Sequence, residues 1–243
     1  MVKATKETSR IEKFKPVAVS GLLFELENIA VDGRTLAYDV LKNLFKDREV
    51  DLSRVLFMRH CVSPCPKEYL PKLLEAVDRK RLSADKLVGE IKQAMTACLD
   101  DSGLTMAAGL SKLLNKAGDR GIVRGALTSL PEDVAMRLMT KLGLDVMGVH
   151  LLAIEPMGSD FPTADAWLKL AKQVGLPRTR CTSLVTSAQS CRAALSAGMR
   201  CVAVPDEFTS YQDFAGADMV VDRLEGDAVE RAISIAVGRQ TEK

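Results

Sequence analysis

Two glutamates follow the first apolar segment of the chain, and their carboxylates are the first side chains with a clear chemical potential. Glu25 and Glu27 come directly after the run 17–24, which is rich in β-forming residues. Side chains two positions apart in an extended segment lie on the same face, so both carboxylates should face one site. A carboxylate can act as a nucleophile or an acid/base group, and it can bind Mg²⁺. The pair is therefore a candidate catalytic or metal-binding position.

Thr128 and Ser129 form a second candidate position, because they follow another apolar run and precede a helix pattern that begins near Pro131. A hydroxyl group next to a helix N-terminus can hold a phosphate. An ordinary helix N-cap at Ser129, with a proline early in the helix, explains the same residues and is the simpler interpretation. Both interpretations remain open at this stage.

The elements that would position these groups alternate between strand and helix patterns after Leu110. This alternation is typical of a parallel sheet, with 17–24 as its central strand. Sites in such sheets form outside the carboxyl ends of the strands. The predicted strands are 17–24, 121–127, 148–154, 181–185 and 200–204, with one more short strand in 214–224. One predicted helix starts at Leu110, and the others span 131–142, 164–174, 190–197 and 228–237.

Residues 34–103 have only helical patterns, with apolar stripes at 36–45, 70–77 and 87–98 and a candidate N-cap at Ser83. We therefore predict an all-helical cap domain at 34–103. The core domain would comprise 16–33 and 104–243, and 1–15 would be a flexible tail. His60, Cys61 and Cys65 lie in the insert, but neighbouring prolines and the lack of a fourth ligand indicate a turn instead of a metal site.

Composition narrows the range of partners. The chain has 243 residues, of which 47% are hydrophobic, and its net charge is +2. This near-neutral balance indicates neither a nucleic-acid-binding nor a membrane-binding protein. No apolar run approaches the roughly 20 residues that span a bilayer, so we expect a cytoplasmic protein, or an organellar one if an upstream transit peptide was removed. The six cysteines are typical of core positions and not of a disulfide framework.

Four segments resemble motifs of the haloacid dehalogenase (HAD) superfamily, and one of them is Thr128-Ser129, which fits the second motif, where a hydroxyl and the following helix N-terminus hold a phosphate. Residues 17–33 resemble its first motif, an apolar run followed by Asp-x-Asp-Gly-Thr-Leu-Val-Asp, and 185–199 resemble its acidic metal loop, closely so in the second half. Residues 161–168 fit the frame around the family's lysine. The resemblance implies an α/β, doubly wound parallel, Rossmann-like core with an inserted all-helical cap, as in the β-phosphoglucomutase and phosphoglycolate phosphatase subgroup.

The reactive positions of these motifs differ from the family pattern. Glu25 and Glu27 stand where the resemblance implies two aspartates, a nucleophile and an acid/base, and the next position is Asn28. Phe161 occupies the lysine position, and Val185 with Thr186 replaces the two acids of the metal loop. A nucleophile misplaced by about 1 Å can lose on the order of a hundredfold in rate. These changes predict weak chemistry or none.

We therefore expect a binding or interaction module for an unknown small molecule or protein, with no cofactor and with phosphatase chemistry lost. Its pocket would contain Asn28, Asp32, Phe161, Val185 and Thr186, and no cation near the glutamates would compensate a phosphate.

An alternative is an active Mg²⁺-dependent phosphatase or phosphomutase acting on a small phosphorylated metabolite. There Glu25 would be the nucleophile or metal ligand and Glu27 the acid/base. Thr128 and Ser129 would bind phosphate, and a cap lysine or Lys169 would supply the missing cation. A third possibility is a structural subunit, which would expose an apolar patch on the cap.

Overall fold

A six-stranded, all-parallel sheet in the order β3-β2-β1-β4-β5-β6 forms the centre of the protein. The structure is a computed structural model that describes residues 20–156, 158 and 160–238. The tail at 1–15 and the start of the first predicted strand, 17–19, lie outside these residues. The strands are β1 (Gly21–Glu25), β2 (Val123–Thr128), β3 (Val149–Ala153), β4 (Cys181–Val185), β5 (Arg200–Ala203) and β6 (Met219–Val220).

Strand β1 lies in the interior of the sheet, as the sequence predicts, and both of its faces are covered. It pairs in parallel with β2 on one side and with β4 on the other. Leu22 and Phe24 belong to one buried apolar cluster, whereas Leu23, between them, belongs to a second. This alternation is expected for a strand buried on both faces.

Helices cover both faces of the sheet, so the fold is doubly wound. One apolar cluster contains side chains of α5, α6 and α9, and the other contains side chains of α7 and α8. These helices are α5 (Leu110–Asp119), α6 (Glu132–Lys141), α7 (Ala164–Gln173), α8 (Ala188–Ser196) and α9 (Asp227–Val237). The predicted α/β architecture is therefore confirmed.

Four α-helices lie between β1 and α5, and we call them the helical insert. They are α1 (Gly33–Lys46), α2 (Arg54–His60), α3 (Pro66–Ala76) and α4 (Ala84–Asp100). Ser53 caps α2 and Ser83 caps α4, each by accepting a hydrogen bond from a first-turn backbone N–H. The insert has its own apolar cluster, which also includes Phe208 from the loop after β5.

The turn that carries Cys61 and Cys65 links α2 to α3. All six cysteines are free thiols, and five of them are buried, in agreement with the expected core positions. Within the part of the chain that the structure describes, no helix is long and apolar enough to cross a membrane.

Candidate functional site

A cleft of about 900 Å³ lies between the helical insert and the carboxyl ends of β1 to β4. This is the edge at which parallel α/β sheets form their sites. The strand side contributes Glu25, Glu27, Asn28, Ser129 and Ser187, and the insert contributes Arg34, Phe57, Lys67, Val88, Ile91, Lys92 and Met95. Both glutamates of the first motif therefore share one cleft with cationic and apolar side chains.

Glu25 is the last residue of β1, and it is held by the loop that follows β4. Its Oε1 accepts a hydrogen bond from the backbone N–H of Thr186 at 3.1 Å, and its Oε2 accepts one from the Thr186 hydroxyl at 2.7 Å. Asn28 Nδ2 lies 3.4 Å from the same Oε2. The side chain is 5% exposed. Both carboxylate oxygens are thus bound by donors of the protein itself.

Arg34 is a buried cation next to this carboxylate. Its Nη1 donates to Thr186 Oγ1 at 2.9 Å and to Asp206 Oδ2 at 2.5 Å. The Thr186 hydroxyl therefore accepts from the guanidinium while it donates to Glu25. Burial with an ionic partner is the condition under which a charged side chain can remain inside a protein. We name the residues Glu25, Thr186, Arg34 and Asp206 the Arg34 network.

The backbone around Gly33 brings Arg34 into this position. A Cβ atom at Gly33 would lie 2.3 Å from the carbonyl oxygen of Glu27, which is closer than any side chain tolerates. A glycine is therefore needed where α1 starts against the turn that follows β1. That turn, Leu26–Ala30, is π-helical, a form frequent at functional sites.

Glu27 lies in this π-helical turn and not in an extended segment, so the expectation of an extended pair is wrong. Its Oε1 accepts hydrogen bonds from the backbone N–H of Ser129 at 2.9 Å and from the Ser129 hydroxyl at 2.8 Å. The residue is half-buried, but neighbours surround its carboxyl group. Burial raises the pKa of Glu27 above its ordinary value of 4.5, and hydrogen bonds from Thr128 and Ser129 offset only part of that rise.

The N-cap explanation for Ser129 is also wrong. The N-cap of α6 is Pro131, which has no side-chain donor or acceptor to offer, and Ser129 binds Glu27 instead. The Thr128 hydroxyl is fully buried and accepts from the backbone N–H of Leu130 at 3.0 Å. Glu27 thus occupies the donors that a phosphate would use at this corner.

The remaining predicted pocket residues divide between the cleft and the core. Asn28 and Phe161 line the cleft. Thr186 and Val185 are buried beneath it, at 1% and 0% exposure, and Val185 packs in an apolar cluster. Asp32 is exposed at the N-cap of α1 and is not among the lining residues, so its assignment to the pocket is wrong.

The expectation that no cation lies near the glutamates is wrong as well. Arg34, Lys67, Lys92 and Arg192 all line the cleft. Lys169 is not one of the lining residues; it forms an exposed ion pair with Asp165 at 2.8 Å. A sequence signal for Arg34 did exist: it lies four residues before the buried Tyr38, on the buried stripe of α1.

Mg²⁺, which the HAD resemblance implies, does not fit these residues. Mg²⁺ requires a nearly octahedral shell of oxygen ligands. Val185 has no side-chain oxygen, and the Thr186 hydroxyl is already engaged by Glu25 and by the Arg34 guanidinium. Within residues 20–156, 158 and 160–238, no cluster of three or more His, Cys, Asp or Glu side chains suits a metal ion.

Comparisons with the sequences of known proteins find relatives that match between about half and four fifths of this chain. The plasmid form of protein CbbY from Cupriavidus necator is 31% identical over 132 residues, 53% of this chain and 51% of that protein. Protein CbbY from Cereibacter sphaeroides is 26% identical over 56% of this chain and 62% of its own length. The putative phosphatase YhcW from Bacillus subtilis is 22% identical over 82% of this chain and 90% of its own length. The chain thus spans only half to three fifths of the CbbY proteins, and no family model matches it.

Solved structures resemble the chain over most of its length. CbbY from Rhodobacter sphaeroides in complex with phosphate has a TM-score of 0.68 at 20% identity, covering 85% of this chain and 95% of that chain. β-Phosphoglucomutase from Clostridium difficile has a TM-score of 0.70 at 17% identity, covering 88% of this chain and 96% of that chain. At such identities the likeness is one of fold.

Proposed function

We propose that this chain, which has the haloacid dehalogenase fold with an inserted helical cap, binds a small phosphorylated metabolite in its cleft and no longer transfers the phosphoryl group at an enzymatic rate. The fold itself follows from the sheet order and the solved structures. The ligand and the loss of chemistry are our proposal, and the state of the two glutamates is what supports it.

The observation that carries this proposal is the engagement of Glu25. A nucleophilic carboxylate must present an oxygen lone pair along the line of attack. Here both oxygens accept hydrogen bonds from Thr186, which hold the carboxylate in place and leave fewer lone pairs on each oxygen for attack. Glu27 is likewise bound to Ser129, so the carboxylate expected to handle the leaving-group proton is also engaged.

The cleft walls support an anionic ligand with an apolar part. Lys67 and Lys92 line the cleft from the insert, and among the described residues neither has a carboxylate partner within ion-pair distance. Lysine ammonium groups bind phosphate as point charges. Phe57, Ile91 and Met95 form an apolar wall beside them, which suits the organic part of a ligand.

A Mg²⁺-dependent phosphatase or phosphomutase is the second candidate, and the comparisons favour it over a protein without catalysis. The relatives include a putative phosphatase, and the structures of like fold include a β-phosphoglucomutase and a predicted phosphoglycolate phosphatase. The raised pKa of Glu27 also suits a group that holds a proton for a leaving oxygen. In this candidate Glu25 attacks phosphorus, and Lys67 or Lys92 replaces the family's lysine.

One experiment separates the two candidates. A panel of sugar phosphates, phosphoglycolate and p-nitrophenyl phosphate is assayed with Mg²⁺ for phosphate release and, in the same samples, for a shift of the melting temperature. We expect a shift of the melting temperature without release of phosphate. Turnover of about 1 s⁻¹ or more that disappears in Glu25→Ala would establish the phosphatase instead.

The lysines provide a matched pair of variants for the binding claim. Lys67 and Lys72 both lie on α3 and are both exposed, but only Lys67 lines the cleft. Lys67→Met together with Lys92→Met should abolish the ligand-induced shift, whereas Lys72→Met should leave it unchanged. An equal effect of both changes would place the ligand elsewhere.

The structural-subunit possibility has less support. Among the described residues, the exposed large hydrophobic side chains are Val55, Met136, Val146, Tyr211, Val220 and Val237. Of these only Val55 belongs to the helical insert. A docking surface on a cap would require a contiguous apolar patch of several such residues.

A further inference from the structure

We infer that the Arg34 guanidinium is the built-in cation of this site and takes the place of a divalent metal ion, so that neither the stability of the site nor ligand binding in the cleft depends on Mg²⁺. Metal-independent ligand binding rests on the proposed function. Metal-independent stability does not, because it concerns the Arg34 network alone.

The contacts of Arg34 place its charge between two carboxylates. Nη1 is 2.5 Å from Asp206 Oδ2 and 2.9 Å from Thr186 Oγ1, and that hydroxyl oxygen is 2.7 Å from Glu25 Oε2. Two hydrogens of one nitrogen atom are thereby used, one toward each acceptor. The fixed cation connects the end of β1 with the loops that follow β4 and β5, which are the loops that form the site.

Burial and the ion pair with Asp206 fix the position of this cation. The Arg34 side chain is 9% exposed, and an arginine stays charged at every accessible pH. A metal ion at the same place would be a second cation beside the first, and the two would repel each other strongly in a site with little water. The guanidinium therefore excludes Mg²⁺ through its charge as well as through its occupation of the Thr186 hydroxyl.

The two carboxylates of the Arg34 network also explain why the site needs a cation. Glu25 and Asp206 are both acidic side chains of this site, at 5% residue exposure for Glu25 and 27% side-chain exposure for Asp206. Without a cation, two carboxylates near each other in a partly buried site repel. Removal of Arg34 should consequently make the site attractive to a divalent ion, which the intact protein does not bind.

The test compares melting temperatures of the intact protein and of Arg34→Met, each with EDTA and with Mg²⁺. A site with a dissociation constant of about 1 mM would raise the melting temperature by about 2–4 °C at about 5 mM Mg²⁺. We expect no rise for the intact protein. For Arg34→Met we expect a melting temperature lower by about 6–20 °C in EDTA, part of which Mg²⁺ restores.

Arg54→Met is the matched control, because Arg54 pairs with Glu207 in the same loop that contains Asp206 but is itself exposed. It should lose much less stability than Arg34→Met and should not respond to Mg²⁺. An Arg34→Met protein that matches Arg54→Met in both respects would overturn the inference. So would a Mg²⁺-induced rise in the intact protein that Glu25→Ala removes.

Two further measurements cover the case in which Arg34→Met does not fold. Mn²⁺ binding to the intact protein, followed by electron paramagnetic resonance, should be weaker than about 1 mM, and tighter binding that Glu25→Ala abolishes would refute the inference. Inorganic phosphate should raise the melting temperature equally in EDTA and in Mg²⁺. A rise found only with Mg²⁺ contradicts the inference, whereas the absence of any phosphate effect counts against the proposed function alone.

Discussion

Replacing Thr186 by valine should destabilise the protein strongly, because its hydroxyl group joins Glu25 and Arg34, two of the three charged side chains of the Arg34 network. The side chain is 1% exposed, donates to Glu25 at 2.7 Å and accepts from Arg34 at 2.9 Å. Valine has nearly the same shape but can make neither bond. The backbone N–H of Thr186 would still bind Glu25, so the change removes the hydroxyl interactions only.

The magnitude follows from the charge of both partners. A hydrogen bond to a charged group contributes about 1.5–3 kcal/mol, and the hydroxyl makes two. Part of the loss is recovered because Arg34 keeps Asp206 and Glu25 keeps the backbone donor, which leaves about 2–4 kcal/mol. For a chain of this length, this corresponds to a melting temperature lower by about 5–15 °C.

Thr182→Val provides the control on the strand that leads into Thr186. Thr182 lies in β4 and is fully buried, but its hydroxyl has no hydrogen-bond partner among the described residues. Removing an unsatisfied buried hydroxyl should be neutral or should stabilise by about 1 kcal/mol. Urea and thermal unfolding should therefore show a clear loss of stability for Thr186→Val and no loss for Thr182→Val. Equal effects, or a Thr186→Val protein within about 1 °C of the parent, would refute the network.

Three further changes have defined outcomes. Burial raises the folded-state pKa of Glu27, so the folded protein keeps that proton to a higher pH than the unfolded chain does. The free energy of unfolding should therefore fall as the pH rises above 4.5. Thermal unfolding of Glu27→Gln between about pH 5 and about pH 9 should lack this fall. Glu25→Asp combined with Glu27→Asp should leave p-nitrophenyl phosphate turnover with Mg²⁺ at least about 100-fold below the roughly 10 s⁻¹ of a typical enzyme, since Arg34 still occupies the site. Phe208→Ala should lower the free energy of unfolding by about 3–5 kcal/mol and speed hydrogen exchange in α1 and α2, because the Phe208 ring is 1% exposed and contacts the insert. Unchanged exchange would show that the ring does not anchor the insert.

Much of the fold was predictable because its signals are local. The apolar run 181–185 matches β4 in full, and the predicted helix start at Ala164 is the observed start of α7. Gly143 and Gly198, which directly follow the predicted helices 131–142 and 190–197, have the positive φ values of 68° and 76° that favour glycine at helix ends. Periodicity and backbone chemistry act within a few residues, so a sequence pattern records them directly.

The site was less predictable because its contacts join residues far apart in the chain. Arg34 meets Thr186 and Asp206 at separations of 152 and 172 residues, and no local pattern selects those partners. Ser129 shows the same limit. Its local sequence indicates an N-cap, but Glu27, 102 residues earlier, takes its hydroxyl and its backbone N–H. Tertiary hydrogen bonds overrode the local preference at this corner.

The departures from the HAD motifs at positions 25 and 186 are therefore best understood as one unit and not as separate losses. Thr186 is small and carries a hydroxyl, so it can bind the carboxylate of Glu25 and the guanidinium of Arg34 together. An acid at position 186 would add a third carboxylate to Glu25 and Asp206, whereas an apolar residue would leave Glu25 and Arg34 without their link. The residues at positions 25 and 186 therefore depend on each other and on Arg34. An acid at position 186 alone would be a buried charge without its own cation, because Arg34 is already paired with Asp206, which is why that single reversion cannot rebuild a metal site here.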